Sequence, residues 1–222
     1  MQAHRIGVIG GTGPQGRGLG YRFALAGHQV VLGSRSAERA AQTAEELTRA
    51  LDGRAVVGSA NNTEAAQTGD VVLLAVPYDG HRELVESLRP ALAGKVVISC
   101  VNPLGFDRSG PHGLDVPEGS AAEQAAGLLP DSHVVAAFHH VAAAHLMEPA
   151  TGHHEDVLVC GDDPQAKAVV IDLAEAVAGR PGVDAGPLRV ARYLEPFTSV
   201  LIRINKRYRT QAGILVTGLP ER

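Results

Sequence analysis

The stretch from residue 5 to residue 39 constrains the chain more than any other. An apolar run at 6–9 leads into Gly10-Gly11-Thr12-Gly13-Pro14-Gln15-Gly16, then a helical pattern, then a second apolar run at 30–32. Gly11, Gly13 and Gly16 have the G-x-G-x-x-G spacing. In such a turn the first glycine permits the tight bend, the second lets backbone approach a pyrophosphate, and the third lets helix pack on strand. Pro14 falls at the start of the helix, where its missing N–H costs nothing. A strand, a glycine turn, a helix and a second strand form a dinucleotide-binding unit. The pyrophosphate is expected over the helix N-terminus, on the main-chain N–H groups of Thr12 to Gly16, with the Thr12 hydroxyl beside them.

The residues after the second strand select the nucleotide. A carboxylate about 20 residues past the glycines would accept from a ribose 2′-hydroxyl. Here the strand runs into Gly33-Ser34-Arg35-Ser36, and Arg39 lies one helical turn beyond Arg35. Two guanidiniums and two hydroxyls match a 2′-phosphate, so the expected cofactor is NADP(H). Val76 and Pro77 end a later strand at the edge where a nicotinamide would lie, with Tyr78 available to stack on it.

Beyond this unit, short apolar runs at 55–58, 71–76, 95–100, 133–138 and 156–160 alternate with amphipathic stretches. Regular alternation with short connections predicts an α/β fold: a Rossmann-like, doubly wound, mainly parallel sheet. The boundaries read as a nucleotide-binding domain over 1–150 and a small C-terminal α/β domain over 151–222. Residues 102–120, rich in Gly and Pro, read as a long loop at the ligand-binding end of the sheet, and 179–187 as a link. Asp163 and Pro164 mark a helix start, and the last helix is expected over about 190–207.

Bulk properties exclude several classes. Hydrophobic residues make up 45% and charged residues 20%, which suits a globular protein. A net charge of −4 gives no reason to expect nucleic acid or a membrane surface as partner. No apolar run reaches the length of a membrane span. The two cysteines, Cys100 and Cys160, each end a strand-like run, so both are expected as buried thiols in a cytoplasmic protein. None of the four tyrosines has a lysine four residues on, which excludes the Tyr-x-x-x-Lys chemistry of short-chain dehydrogenases.

A second site is expected where histidines gather: His139, His140, His145, His153 and His154. Their spacing fits no zinc pattern, so no metal is expected. His139 and His140 follow a buried strand at its carboxyl end, where one imidazole can form a pocket wall while the other is held structurally. Arg203, Lys206, Arg207 and Arg209 make the last helix basic at its C-terminus, which suits the helix dipole. A few of these cations could instead meet an anionic ligand tail.

Over nearly its whole length the chain resembles the F-420-dependent NADP oxidoreductases. The marks are IGVIGGTGPQGRGLG, VVLGSRS, VVLLAVP, VVAAFHHVAAAH, VLVCGDD and DAGPL. The resemblance implies reversible hydride exchange between NADP(H) and coenzyme F-420, an 8-hydroxy-5-deazaflavin with an anionic oligoglutamyl tail. It implies that Thr12, Ser34, Arg35 and Arg39 bind NADP, the last three around the 2′-phosphate. It also implies that His139 and Val141 line the deazaflavin pocket, His139 orienting the ring. Two departures stand out: Arg39 where members can have Lys, and Tyr78 where Trp often follows the proline. An apolar last helix makes a homodimer the expected assembly. Two other readings stay open: an NADPH-dependent imine or carbonyl reductase, and a non-catalytic NADPH-sensing module.

Overall fold

The computed structural model describes residues 2–148 and 155–219. The chain runs β1 (Arg5–Ile9), α1 (Pro14–Leu25), β2 (Gln29–Ser34), α2 (Ala37–Ala50), β3 (Val57–Asn61) and α3 (Asn62–Thr68). Then come β4 (Val71–Leu74), α4 (His81–Leu92), β5 (Val96–Ser99), β6 (Leu104–Asp107), β7 (Gly110–Gly113), α5 (Ala121–Leu128) and β8 (His133–Ala136). The last elements are α6 (Ala143–Leu146), β9 (Leu158–Gly161), α7 (Pro164–Ala178), β10 (Val183–Gly186) and α8 (Ala191–Tyr208).

Eight strands form one sheet in the order β10-β9-β8-β5-β4-β1-β2-β3. Every pairing is parallel except β8 with β9, which is antiparallel. The mainly parallel, doubly wound α/β fold is therefore the one the alternation predicts. The period-two pleat explains the layering. Ile6, Val8, Val71 and Leu73 pack on one face with Leu19 and Phe23 of α1 and Val170 and Leu173 of α7. Ile9, Val72, Leu74 and Val97 pack on the other with Val85 and Leu88 of α4 and Ala121 and Ala125 of α5. A sheet covered on both faces needs apolar strands without alternation, as found here.

Two segments differ from their expected form. The stretch read as a loop over 102–120 contains the antiparallel hairpin β6–β7. Asp107 Oδ1 accepts from Ser109 N at 2.7 Å, and Gly110 takes φ +105°, which turns the chain between the two strands. The stretch read as a link over 179–187 contains β10, which pairs with β9. The thiols of Cys100 and Cys160 are buried and unpaired, and burial pushes both up to about 12.

Order reversal along the sheet lies between β1 and β4. The chain winds from β1 through β2 to β3, then crosses to β4. The crevice at the carboxyl ends there is where open α/β sheets take ligands.

Candidate functional site

The glycine turn sits at that crevice. Gly10, rather than Gly11, takes the left-handed conformation, with φ +77°. A Cβ on Gly16 would lie 2.7 Å from Gly10 O and 3.0 Å from Gly11 Cα, so only glycine lets α1 start this close to the strand. Gly11 is small for another reason: a Cβ there would meet Leu32 of β2 at 2.9 Å. α1 begins at Pro14 with Gly13 as its cap and no side-chain hydrogen bond to its first-turn amides. Those amides, with the dipole behind them, form an anion seat. Gln15 reaches the other way, its Nε2 donating to Phe138 O at 3.2 Å.

At the end of β2, the Ser34 hydroxyl is nearly buried and accepts from Ser36 N at 3.2 Å. Ser36 Oγ in turn accepts from Arg39 N at 3.3 Å and caps α2. The two serines fix the turn, and Arg35 and Arg39 project from it exposed. Glu38 shares that helical turn, yet among the described residues neither guanidinium has a carboxylate partner. Across the crevice, Val76 follows β4 beside the glycine turn: its Cγ1 would lie 2.8 Å from a Cβ on Gly10. Pro77 and Tyr78 line a cleft of about 600 Å³ that runs out under the β6–β7 hairpin.

The second half of the site is built after β8. Phe138 holds a left-handed φ of +65°, uncommon for a bulky residue, and is kept there by its buried ring, edge-on to Phe23 at 5.8 Å. The turn delivers His139, whose carbonyl accepts from Asn102 Nδ2 and from Thr198 Oγ1 of α8, both at 3.2 Å. The two adjacent histidines divide as expected of a pair pointing different ways. His140 Nε2 lies 2.8 Å from Leu194 O and is satisfied. Both ring nitrogens of His139 are buried with no partner. Burial, helped by His140, pushes His139 down to about 3, so its imidazole is neutral at any ordinary pH.

His139, Val141, Gln15, Cys100, Asn102 and Thr198 line a cavity of about 330 Å³. Asn102 belongs to this cavity and to the 600 Å³ cleft as well, and its Oδ1 is buried without a partner. A cavity beside the glycine turn, with unspent polar atoms on an imidazole and an amide, suits a flat heteroaromatic ring bearing donors and acceptors.

Other candidates go elsewhere. Arg203 is spent on the hairpin, its guanidinium donating to Ser109 O at 2.8 Å and to Pro111 O at 2.9 and 3.2 Å. Lys206 and Arg207 lie in the last turn of α8, where the dipole favours them. His153 and His154 fall outside the described residues; among those described, no group of three or more His, Cys, Asp or Glu side chains could hold a metal ion. Asn102, Thr198, His81 and Gln124 line these cavities without being singled out by the sequence. Each reaches the site through contacts 37 to 59 residues apart, or 43 for the His81–Gln124 pair, which leave no local spacing to read.

A glycine turn at the crevice of a doubly wound sheet, opening onto a ring-sized cavity, defines the class: a Rossmann-type dinucleotide-binding protein. Comparison with known proteins narrows it. Residues 5–103 match the family described as NADP oxidoreductase, coenzyme F420-dependent. The chain is 40% identical to the F420-dependent NADP reductase of Methanothermobacter thermautotrophicus over 98% of its own length and 96% of that protein. It is 37% identical to the F420-dependent NADP reductase of Methanocaldococcus jannaschii, over 97% of this chain and 99% of that one. A crystal structure of a candidate F420-dependent NADP-reductase from Arthrobacter sp. FB24 superposes with a TM-score of 0.79 at 26% identity, covering 94% of this chain and 96% of the other. The chain belongs to the F420-dependent NADP reductase family.

Proposed function

We propose that this protein is an oxidoreductase that transfers a hydride reversibly between NADP(H) and coenzyme F-420. The observation that carries the reading is full-length similarity to F420-dependent NADP reductases, combined with a ring-sized cavity whose polar atoms on His139 and Asn102 are unspent. The nicotinamide and the deazaflavin supply the hydride chemistry when bound. What this chain must do is hold the two rings face to face and exclude water.

Gly11, Thr12, Gly13, Pro14, Gln15 and Gly16 present the anion seat for the pyrophosphate. Ser34, Arg35 and Arg39 hold the 2′-phosphate, their side chains free of competing carboxylates. Val76 and Pro77 flank the nicotinamide. His139 and Val141 form the wall of the deazaflavin pocket, and His139 orients the ring as a neutral hydrogen-bonding group rather than as a proton carrier. No nucleophile or general base is required, which agrees with a site whose buried histidine cannot hold a proton near neutral pH.

Mixing the protein with NADPH and oxidised F-420 tests this directly. The expected result is loss of the deazaflavin absorbance, far slower with NADH; NADPH binding without bleaching would overturn it. The same reading extends to assembly and compartment. Tyr193, Phe197 and Val200 leave an apolar stripe exposed on α8, which supports a homodimer of twice the 23.1 kDa chain. No helix among the described residues is long and apolar enough to cross a membrane, and buried free thiols suit the cytoplasm.

A further inference from the structure

One network runs through His81 and Gln124, which have been given no role beyond lining the cleft. His81, the first residue of α4, is only 1% exposed and lines the 600 Å³ cleft. Its Nδ1 lies 2.8 Å from Gln124 Oε1. The orientation of that amide is set from the other side: Gln124 Nε2 donates to the Glu118 carboxylate at 3.2 Å and to Tyr78 Oη at 3.4 Å. A carboxylate only accepts, so the amide nitrogen faces Glu118 and its oxygen faces His81. The Gln124 oxygen also only accepts, so the proton of His81 must be on Nδ1. Glu118 pairs with Arg82, and hydrogen bonds from its own backbone, from Gln124 and from Arg82 outweigh burial and hold its carboxyl below the ordinary carboxylate value. The imidazole is stacked on Tyr78, centroids 6.0 Å apart and planes 30° apart. What remains is Nε2, a bare lone pair, buried and without a partner. Burial holds His81 below the ordinary imidazole range, so that lone pair stays available.

A carboxylate, an amide and an aromatic ring thus fix one nitrogen as an acceptor. A buried acceptor left unmatched is costly, and a donor that reaches it is rewarded. The cleft itself says which part of a ligand belongs there. Asp79 and Glu83 line it with Arg82 as the one cation, and Arg82 is already paired. Leu104, Phe106 and Leu114 supply apolar walls. Such a cleft disfavours an anionic tail and suits a neutral, flat, donor-bearing ring edge. Asn102 lines both this cleft and the cavity of His139.

We propose that His81 Nε2, oriented by Gln124, is a specificity contact for the second substrate, accepting a hydrogen bond from the imide N–H of its deazaflavin ring. This rests on the function proposed above and adds to it which edge of the ring enters the cleft, leaving the anionic tail to point away from it.

The test is a binding titration in the absence of turnover, read by deazaflavin fluorescence, for F-420 and for a deazaflavin methylated on the imide nitrogen. The unaltered protein should bind the methylated ring about tenfold more weakly, the loss expected for one buried hydrogen bond. His81→Phe keeps the ring stack and removes the acceptor. It should weaken F-420 about tenfold, leave NADPH affinity within about twofold, and abolish the discrimination between the two deazaflavins. Gln124→Leu, which releases the imidazole tautomer, should weaken F-420 in the same direction. Should His81→Phe fail to fold, the two-ligand comparison in the unaltered protein decides alone. Equal affinity for the two deazaflavins, or an effect of His81→Phe on NADPH instead of F-420, would overturn the proposal while leaving the reductase reading intact. A protein that neither binds nor bleaches F-420 would overturn both.

Discussion

At the scale of single residues, the proposed preference for NADP(H) rests on two exposed arginines that have no carboxylate partner among the described residues. Arg35→Ala and Arg39→Ala should each raise the KM for NADPH by roughly ten- to a hundredfold, the worth of a charge-assisted hydrogen bond, with KM for NADH unchanged. Steady-state kinetics with both nucleotides checks this. His139→Ala should cost about ten- to a hundredfold in kcat/KM for F-420 without abolishing turnover, because orientation is lost and no proton-transfer step is. Its pH–rate profile between pH 5 and 9 should match that of the unaltered protein, since His139 is held at about 3 and is neutral throughout that window. The arginines were legible in the sequence because Ser34, Arg35 and Arg39 lie within two turns of one another. His139 was legible because it follows an apolar strand. Its unspent nitrogens were not, nor was the satisfied state of His140, which depends on Leu194, 54 residues away.

At the scale of elements, the helices announced their ends and the small strands did not. Ser36, Asn61, Ser120 and Asp163 each accept a hydrogen bond from the third residue of the helix they precede. Lys95 performs the matching task at a C-terminus: its Nζ donates to Ala66 O, Gln67 O and Gly69 O at 2.6, 2.7 and 2.7 Å, closing α3. Lys95→Met keeps the stem and removes the donors. It should lower stability by about 1.5–3 kcal/mol, read from urea unfolding. Hairpin β6–β7 and strand β10 are only four residues each, and both contain Gly, so no periodicity could show them. The Asp107-to-Gly110 turn was the one available signal for the hairpin. The reversal of β9 against β8 was not legible at all, because alternation reports that strands exist and says nothing of their direction.

At the scale of the whole molecule, the buried titratable groups set how stability depends on pH. His28, His81, His139 and His140 are all held below the ordinary imidazole value, mainly by burial. Unfolded, each takes a proton near pH 6.5; folded, each resists it. The unfolded chain therefore binds more protons as pH falls, and stability is lost below about pH 6.5. Glu195 of α8 has the opposite sign. It accepts from Ala121 N and Ala122 N at 2.7 and 3.0 Å, yet burial pushes it up to about 7. Its contribution is complete below the unfolded carboxylate value and lost as pH rises through 7. The urea midpoint should therefore fall between pH 6.5 and 4.5, and Glu195→Gln should gain on the unaltered protein as pH rises from 5 to 8. α8 is also the element on which the second half of the site waits. Thr198 supports His139, and Arg203 holds the hairpin across 92 and 94 residues of sequence. A chain leaving the ribosome presents its glycine turn and both arginines long before Arg203 has been made. The order of synthesis thus separates the two halves of the site in time: the glycine turn and both arginines are made well before the helix that supports His139 and holds the hairpin.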